Sequence, residues 1–211
     1  LDKALLIIMA KWHGFGRCKT RLSRDIGKRN SAKIQSVMTS HTISVAKTLQ
    51  KIKLIDISIA ISGLGKKNCR RWSQELGIKK FNLQGQGCLG ERMKRQIIIN
   101  KKFCNQNKIK NIIFVGTDLP DLCHLDLLNT IRELKQNDLI LGPSNDGGYW
   151  LIGLSEEIIS RHLHLPFINI RWSKENVLQN TVDNFAYTQY KYKFLDEKTD
   201  IDKIIDIENR M

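Results

Sequence analysis

Apolar residues in this chain occur in two spacings that alternate along its length, and this restricts the fold more than any other feature. Residues 5–9 are an unbroken apolar run, the pattern of a strand covered on both faces. Over residues 30–49 the side chains Ile34, Val37, Met38, Val45 and Leu49 recur at helical spacing. Ile55, Ile57, Ile59 and Ile61 then alternate with smaller or polar residues, as in a strand. The same reading predicts helices over 66–76, 89–101 and 121–134, and strands over 112–115, 139–141 and 149–154. A closing helix, capped by Thr199, would carry Ile201, Ile204 and Ile205. Alternation of this kind predicts an α/β fold: three αβα layers around a mostly parallel central sheet. The 211 residues suit one domain over 1–211, with a core that needs neither disulfides nor a structural metal.

Charge narrows the partners. The formal net charge is +14, yet the basic residues are scattered and no zinc finger, RNP motif or basic-region helix is present. Anionic small molecules are therefore expected before nucleic acid. The five cysteines make no CxxC pair and their number is odd, which points to free thiols in a reducing compartment. His162 and His164 have no nearby cysteine or carboxylate in sequence and read as surface or boundary residues. No apolar stretch is long enough to span a bilayer, and a cytoplasmic protein is expected.

In an open parallel sheet, ligands sit beyond the C-terminal ends of the strands. The loops after Met9, Val115 and Leu141 are therefore the informative ones. The first places Lys11, Arg17, Lys19 and Arg21 around Gly14 and Gly16, a composition suited to phosphate oxygens. It is not a GxxxxGK[ST] loop. The second reads Gly116-Thr117-Asp118-Leu119-Pro120 and delivers Asp118 to the sheet edge, where a carboxylate can hold Mg2+ or Mn2+ against a diphosphate. Asp121 is better placed to cap the next helix. The third carries Asn145-Asp146-Gly147-Gly148-Tyr149. This is strong turn chemistry, and a plain hairpin competes with a role for Asp146 as an acceptor-side carboxylate or a second group near the metal. Gly147 and Gly148 would leave room for substrate, and Tyr149 could stack on a sugar ring. A fourth stretch, residues 84–93, leads through glycines into a helix containing Arg92.

Together these segments resemble a bacterial family of glycosyltransferase-A-like enzymes, often named radical-SAM/selenodomain-associated transferases. Its pattern runs K-x-P-x-x-G-x-x-K-T-R-L, then L-G-x-R-M, G-T-D-x-P and G-P-x-x-D-G-G-Y-x-L-I-G. The match extends from Lys11 to about Asp202, and Trp172-Ser173 also look like family positions. The resemblance implies a Rossmann-like nucleotide-diphospho-sugar transferase fold. It places Lys11, Gly16, Arg17, Lys19, Arg21, Arg92, Gly116 and Thr117 at the nucleotide and its phosphates. Gly147, Gly148 and Tyr149 fall at the substrate, with Asp118 and Asp146 as catalytic carboxylates and Asp118 as metal ligand. Three positions depart from the pattern. His13 replaces a proline, which should loosen the first loop. Cys88 replaces an aspartate. Lys198 stands at the second Asp of a late D-x-D-T motif, leaving Asp196 and Asp200 as substitutes. The implied partners are a nucleotide sugar or an NTP, an acceptor that the sequence does not identify, and a homo-oligomer is left open. Glycosyl transfer leads, followed by nucleotidyl transfer with release of pyrophosphate, and then by a non-catalytic nucleotide- or anion-binding module.

Overall fold

A computed structural model describes residues 2–172 and 174–208 of the chain. Seven strands form one sheet in the order β3-β2-β1-β4-β6-β5-β7. These are β1 (Ala4–Lys11), β2 (Ile55–Ser62), β3 (Lys80–Leu83), β4 (Asn111–Val115), β5 (Leu139–Pro143), β6 (Tyr149–Leu154) and β7 (Tyr192–Phe194). Only β6 opposes the others, pairing antiparallel with both β4 and β5.

The apolar run of β1 explains the layers. Its side chains alternate between two cores, because successive strand residues point to opposite faces. Ala4, Leu6, Ile8 and Ala10 pack with α1 (Leu22–Lys51), α2 (Lys66–Glu75) and α4 (His124–Glu133), through Leu49, Trp72 and Ile131 among others. Leu5 and Ile7 pack on the other face with α3 (Leu89–Gln106), α5 (Glu156–Arg161) and α6 (Val177–Asp183), through Met93, Ile158 and Val182. The expected three-layer, mostly parallel architecture is present.

Several local expectations need correction. α1 begins at Leu22 and runs across a kink at Gly27, whose φ of 82° is non-helical. Val37 points outward, while Gln35, Thr39 and Thr42 are buried in its place. α4 begins at His124, later than predicted. Cys123 stands at its N-cap and donates its N–H to Asp126 (2.7 Å), so Asp121 is not the cap. Thr199 lies six residues before the closing helix α7, which is only Ile205–Glu208, and the Asp206 carboxylate receives the Asp202 and Lys203 N–H groups there. The edge strands β3 and β7 are short, with half-buried or exposed side chains, so neither has the apolar signature of a central strand. Among the described residues no helix is long and apolar enough to cross a membrane.

Candidate active site at the sheet switch point

The chain leaves β1 towards β2 and β3, then returns to add β4 on the other side of β1. The β1/β4 boundary is thus the topological switch point, where open α/β sheets bind ligands. The first loop and Gly116-Thr117-Asp118 both emerge there.

Lys19 joins them. Its Nζ lies 2.9 Å from Asp118 Oδ1, and its side chain is only 4% exposed. It also donates to the Ile201 carbonyl. Its φ of 43° is left-handed, a conformation that a lysine keeps only when its surroundings hold it. The Asp118 side chain is 48% exposed, although Oδ1 is buried and its contact with Lys19 lacks hydrogen-bond alignment. The open part of the carboxylate is therefore the Oδ2 side.

Residues 196–202 form a strap across this end of the sheet. The Ile201 N–H donates to the Asp118 carbonyl (3.0 Å), and the Lys198 N–H to the Pro143 carbonyl (3.0 Å). Arg21 pairs with Asp202 at 2.7 Å. Ser144 Oγ donates to Asp200 at 3.2 Å. Lys198, at the position where the family pattern has an aspartate, turns away from the cleft. Its ammonium reaches Asp126 (2.8 Å) and the Asp121 carbonyl (2.9 Å). Both side chains of the Lys198–Asp126 pair are 15% exposed. Lys198→Met should cost about 2 kcal/mol, below the range for a fully buried pair because Asp126 keeps the Cys123 N–H. Chemical denaturation would measure it.

The strap brings in the carboxylate that the sequence offered only as a substitute. Asp200 is held above the usual carboxylate range, by burial first, then by Asp146, with Asp118 adding to it. The three carboxylates Asp118, Asp146 and Asp200 therefore share one electrostatic neighbourhood. A raised folded-state pKa favours the fold below the ordinary value of 3.8, and that contribution disappears as pH rises through the folded pKa. Asp200→Asn should accordingly be more stable than the parent at neutral pH, with the gap closing on acidification. A pH series of melting temperatures checks this.

The other predicted residues fall into three groups. Lys11 lies near the cleft, since it, Lys19 and Asp118 all act on the buried Cys18 thiol, whose pKa burial raises. Arg17 is exposed, and Gly16, with φ 70°, lies against the Lys28 side chain. Thr117 is buried, and its hydroxyl accepts from Gln35 Nε2 at 2.9 Å, so the side chain is taken up within the protein. A Cβ on Gly116 would meet nothing within 4 Å.

Arg92 is tied to the third strand's loop. Its Nε donates to the Gly87 carbonyl at 2.8 Å, and it sits beside Gln84. Gln84 is buried and donates to the Ala10 and Ala60 carbonyls (3.1 and 3.0 Å), knitting β1, β2 and the 84–93 loop together. No local sequence pattern marks Gln84 for this task. Cys88 caps α3 in a reciprocal arrangement with Glu91. His13 packs against Trp12 and Trp72 at 5.7 and 5.6 Å, and burial lowers its pKa. The aromatic packing braces the loop that loss of the proline was expected to loosen.

The Asp146 turn combines both competing readings. Asp146 Oδ1 accepts the Gly148 N–H at 2.9 Å, as turn chemistry requires. Its charge nevertheless reaches Asp200 in the cleft. A Cβ on Gly147 would collide with the Glu175 carbonyl, so the space beside this glycine is filled by the chain itself. The Tyr149 hydroxyl is buried beside Thr181 without a hydrogen bond of ordinary geometry, and burial raises its pKa. The ring lies edge-on to Trp172 at 6.5 Å and packs against the core. Ser173 lies outside the described residues.

The donor set suits a hard divalent cation. It consists of carboxylate oxygens, the open Oδ2 side of Asp118 among them, with Oδ1 already paired with Lys19. Among the described residues no three acidic, histidine or cysteine side chains form a ready cage. Mg2+ itself takes one or two carboxylates and completes its shell with phosphate and water. A hollow of about 720 Å3 lined by Lys110, Asp138, Ser155 and Glu156 lies at the opposite end of the sheet, away from these motifs.

Similarity to solved structures bears out the fold. A provisionally assigned nucleotide-diphospho-sugar transferase from Desulfovibrio desulfuricans G20 superposes with a TM-score of 0.82 at 24% identity, over 98% of this chain and 85% of that one. The 4-diphosphocytidyl-2C-methyl-D-erythritol synthase of Anaerococcus prevotii DSM 20548 gives 0.55 at 12% identity, over 98% and 96%. Glucosyl-3-phosphoglycerate synthase from Mycobacterium tuberculosis, solved with Mn2+, UDP and phosphoglyceric acid, gives 0.59 at 9%, over 99% and 74%. No curated protein matches the sequence. These likenesses show that the three-layer αβα fold is shared with these proteins. A family model described as an uncharacterized protein conserved in bacteria, DUF2064, matches residues 45–174, more than half of the chain, and the protein belongs to that family.

Proposed function

We propose that this protein is a transferase that takes a nucleotide-activated donor at the β1/β4 cleft, with glycosyl transfer as its reaction. The observation that carries the reading is the contact between Lys19 and Asp118, which joins the cationic loop to the carboxylate of the central strand. Lys19 and Arg21 would hold the diphosphate, with Lys11 adding positive charge nearby. Asp118, with Asp200 close by, would hold Mg2+ or Mn2+, which when bound would neutralise the charge developing on the leaving diphosphate. Asp146 would orient or deprotonate the acceptor hydroxyl, provided it comes within about 2.6–3.2 Å in the complex. Gly148 and the Tyr149 ring would border the acceptor side.

A second reading keeps the same site but moves the bond that breaks. In nucleotidyl transfer a substrate phosphate attacks the α-phosphate of an NTP, and pyrophosphate leaves. The adjacency of Lys19 and Arg21 favours it, because two cations so placed suit a departing pyrophosphate. Incubation with panels of nucleotide sugars and of NTPs, each with candidate sugar and sugar-phosphate acceptors, would separate the two. Release of a nucleoside diphosphate from a nucleotide sugar supports glycosyl transfer, and release of pyrophosphate supports the alternative. Release of neither from a complete panel would leave the site as a binding module.

A further inference from the structure

Among the described residues Lys19 is the buried lysine of the chain, and it carries two roles that compete. As the first loop's inward cation it is a phosphate ligand. As the partner of Asp118, at 2.9 Å from Oδ1, it neutralises the carboxylate charge that would attract a metal. A cation approaching Asp118 meets a carboxylate already neutralised, and an anion approaching Lys19 meets an ammonium already paired.

Resting on the reading of this cleft as a metal–diphosphate site, we propose that Lys19 is a positioning residue that exchanges partners. It neutralises Asp118 before substrate binds, and passes to the phosphates when a divalent cation takes the carboxylate. The side chain is suited to this. An ammonium on a four-carbon stem presents three donors that can be redirected. The Ile201 carbonyl supplies a second acceptor, so the amine keeps a partner during the move. The contact with Asp118 has no hydrogen-bond alignment and is the weaker of the two to release. Metal and anion should therefore assist one another, and the assistance must be reciprocal.

Two substitutions uncouple the pair from opposite sides, and binding is read without turnover. Mn2+ alone is titrated by electron paramagnetic resonance, and inorganic pyrophosphate by calorimetry in EDTA. Lys19→Met should bind Mn2+ about tenfold tighter than the parent, the scale of one charge-assisted contact. Lys51→Met, which removes an exposed charge from the last turn of α1 at the other end of the sheet, should change it by no more than about twofold, since exposed charges are screened. Asp118→Asn should bind metal-free pyrophosphate about tenfold tighter than the parent, because Lys19 then faces a neutral amide in place of a carboxylate. Should Lys19→Met fold poorly, the parent carries the test: sulfate, a weak Mn2+ ligand in solution, should raise its Mn2+ affinity. Unchanged Mn2+ affinity in Lys19→Met, or unchanged pyrophosphate affinity in Asp118→Asn, overturns the exchange while leaving the site reading intact. If the parent and both variants take up neither Mn2+ nor pyrophosphate, the site reading falls, and the exchange falls with it.

Discussion

Gly147→Ala should be one of the most damaging single substitutions in the chain, lowering stability by about 3 kcal/mol. Two effects add. The backbone of Gly147 has a φ of 82°, which costs a side chain on the order of 1–3 kcal/mol. The new methyl would also meet the Glu175 carbonyl, a backbone atom that can yield only if the start of α6 shifts, and overpacking of this kind costs about 1–3 kcal/mol. The segment is fixed from both sides: Gly147 receives the Leu178 N–H at 2.9 Å and donates to Ser144 at 3.0 Å. For a chain of this size the melting temperature should fall by roughly 6–12 °C. Gly116→Ala is the contrast, since nothing lies within 4 Å of its would-be Cβ. A loss smaller than about 1 kcal/mol in Gly147→Ala would mean that the Glu175 contact does not hold the turn.

Asp118→Ala should lower stability as well as abolish function. Removing the carboxylate leaves the Lys19 ammonium, on a side chain 4% exposed, with the Ile201 carbonyl as its remaining partner. Stranding a buried charge in this way costs about 3 kcal/mol. An alanine variant that bound nothing would therefore not separate a lost ligand from a weakened fold, contrary to the simplest expectation for a surface carboxylate. Asp118→Asn keeps the shape and a polar partner for Lys19, and is the variant to use for binding. Differential scanning calorimetry should place Asp118→Asn closer to the parent than to Asp118→Ala.

The layers were legible because the central strands are covered on both faces and so are continuously apolar. β1 and β4 show this directly, and their loops could be located from the residues alone. The short edge strands β3 and β7 escaped because four and three residues with half-buried or exposed side chains make no continuous apolar run. The start of α4 was misplaced because Cys123, a weak cap by type, takes the N-cap with help from Asp126. Asp118 and Lys19 were readable from position in their loops, yet their contact was not. It depends on a left-handed lysine and on a strap joined to it across more than 180 residues of chain. That strap also explains Lys198, which looks like a lost ligand in sequence but clamps α4 in three dimensions. Gly147 and Tyr149 show the reverse: residues suited to a ligand whose free space is largely taken by the Glu175–Thr181 segment.

The central claim is that the Asp118 cleft binds a nucleoside diphosphate through a divalent cation. Calorimetric titration of UDP, CDP, ADP, GDP and dTDP, each with and without Mn2+, into the parent and Asp118→Asn tests it most directly. At least one nucleotide should bind the parent more tightly with Mn2+ than without, and the Mn2+-dependent gain should vanish in Asp118→Asn. A gain of equal size in Asp118→Asn, or no binding of any nucleotide by the parent, would contradict the account.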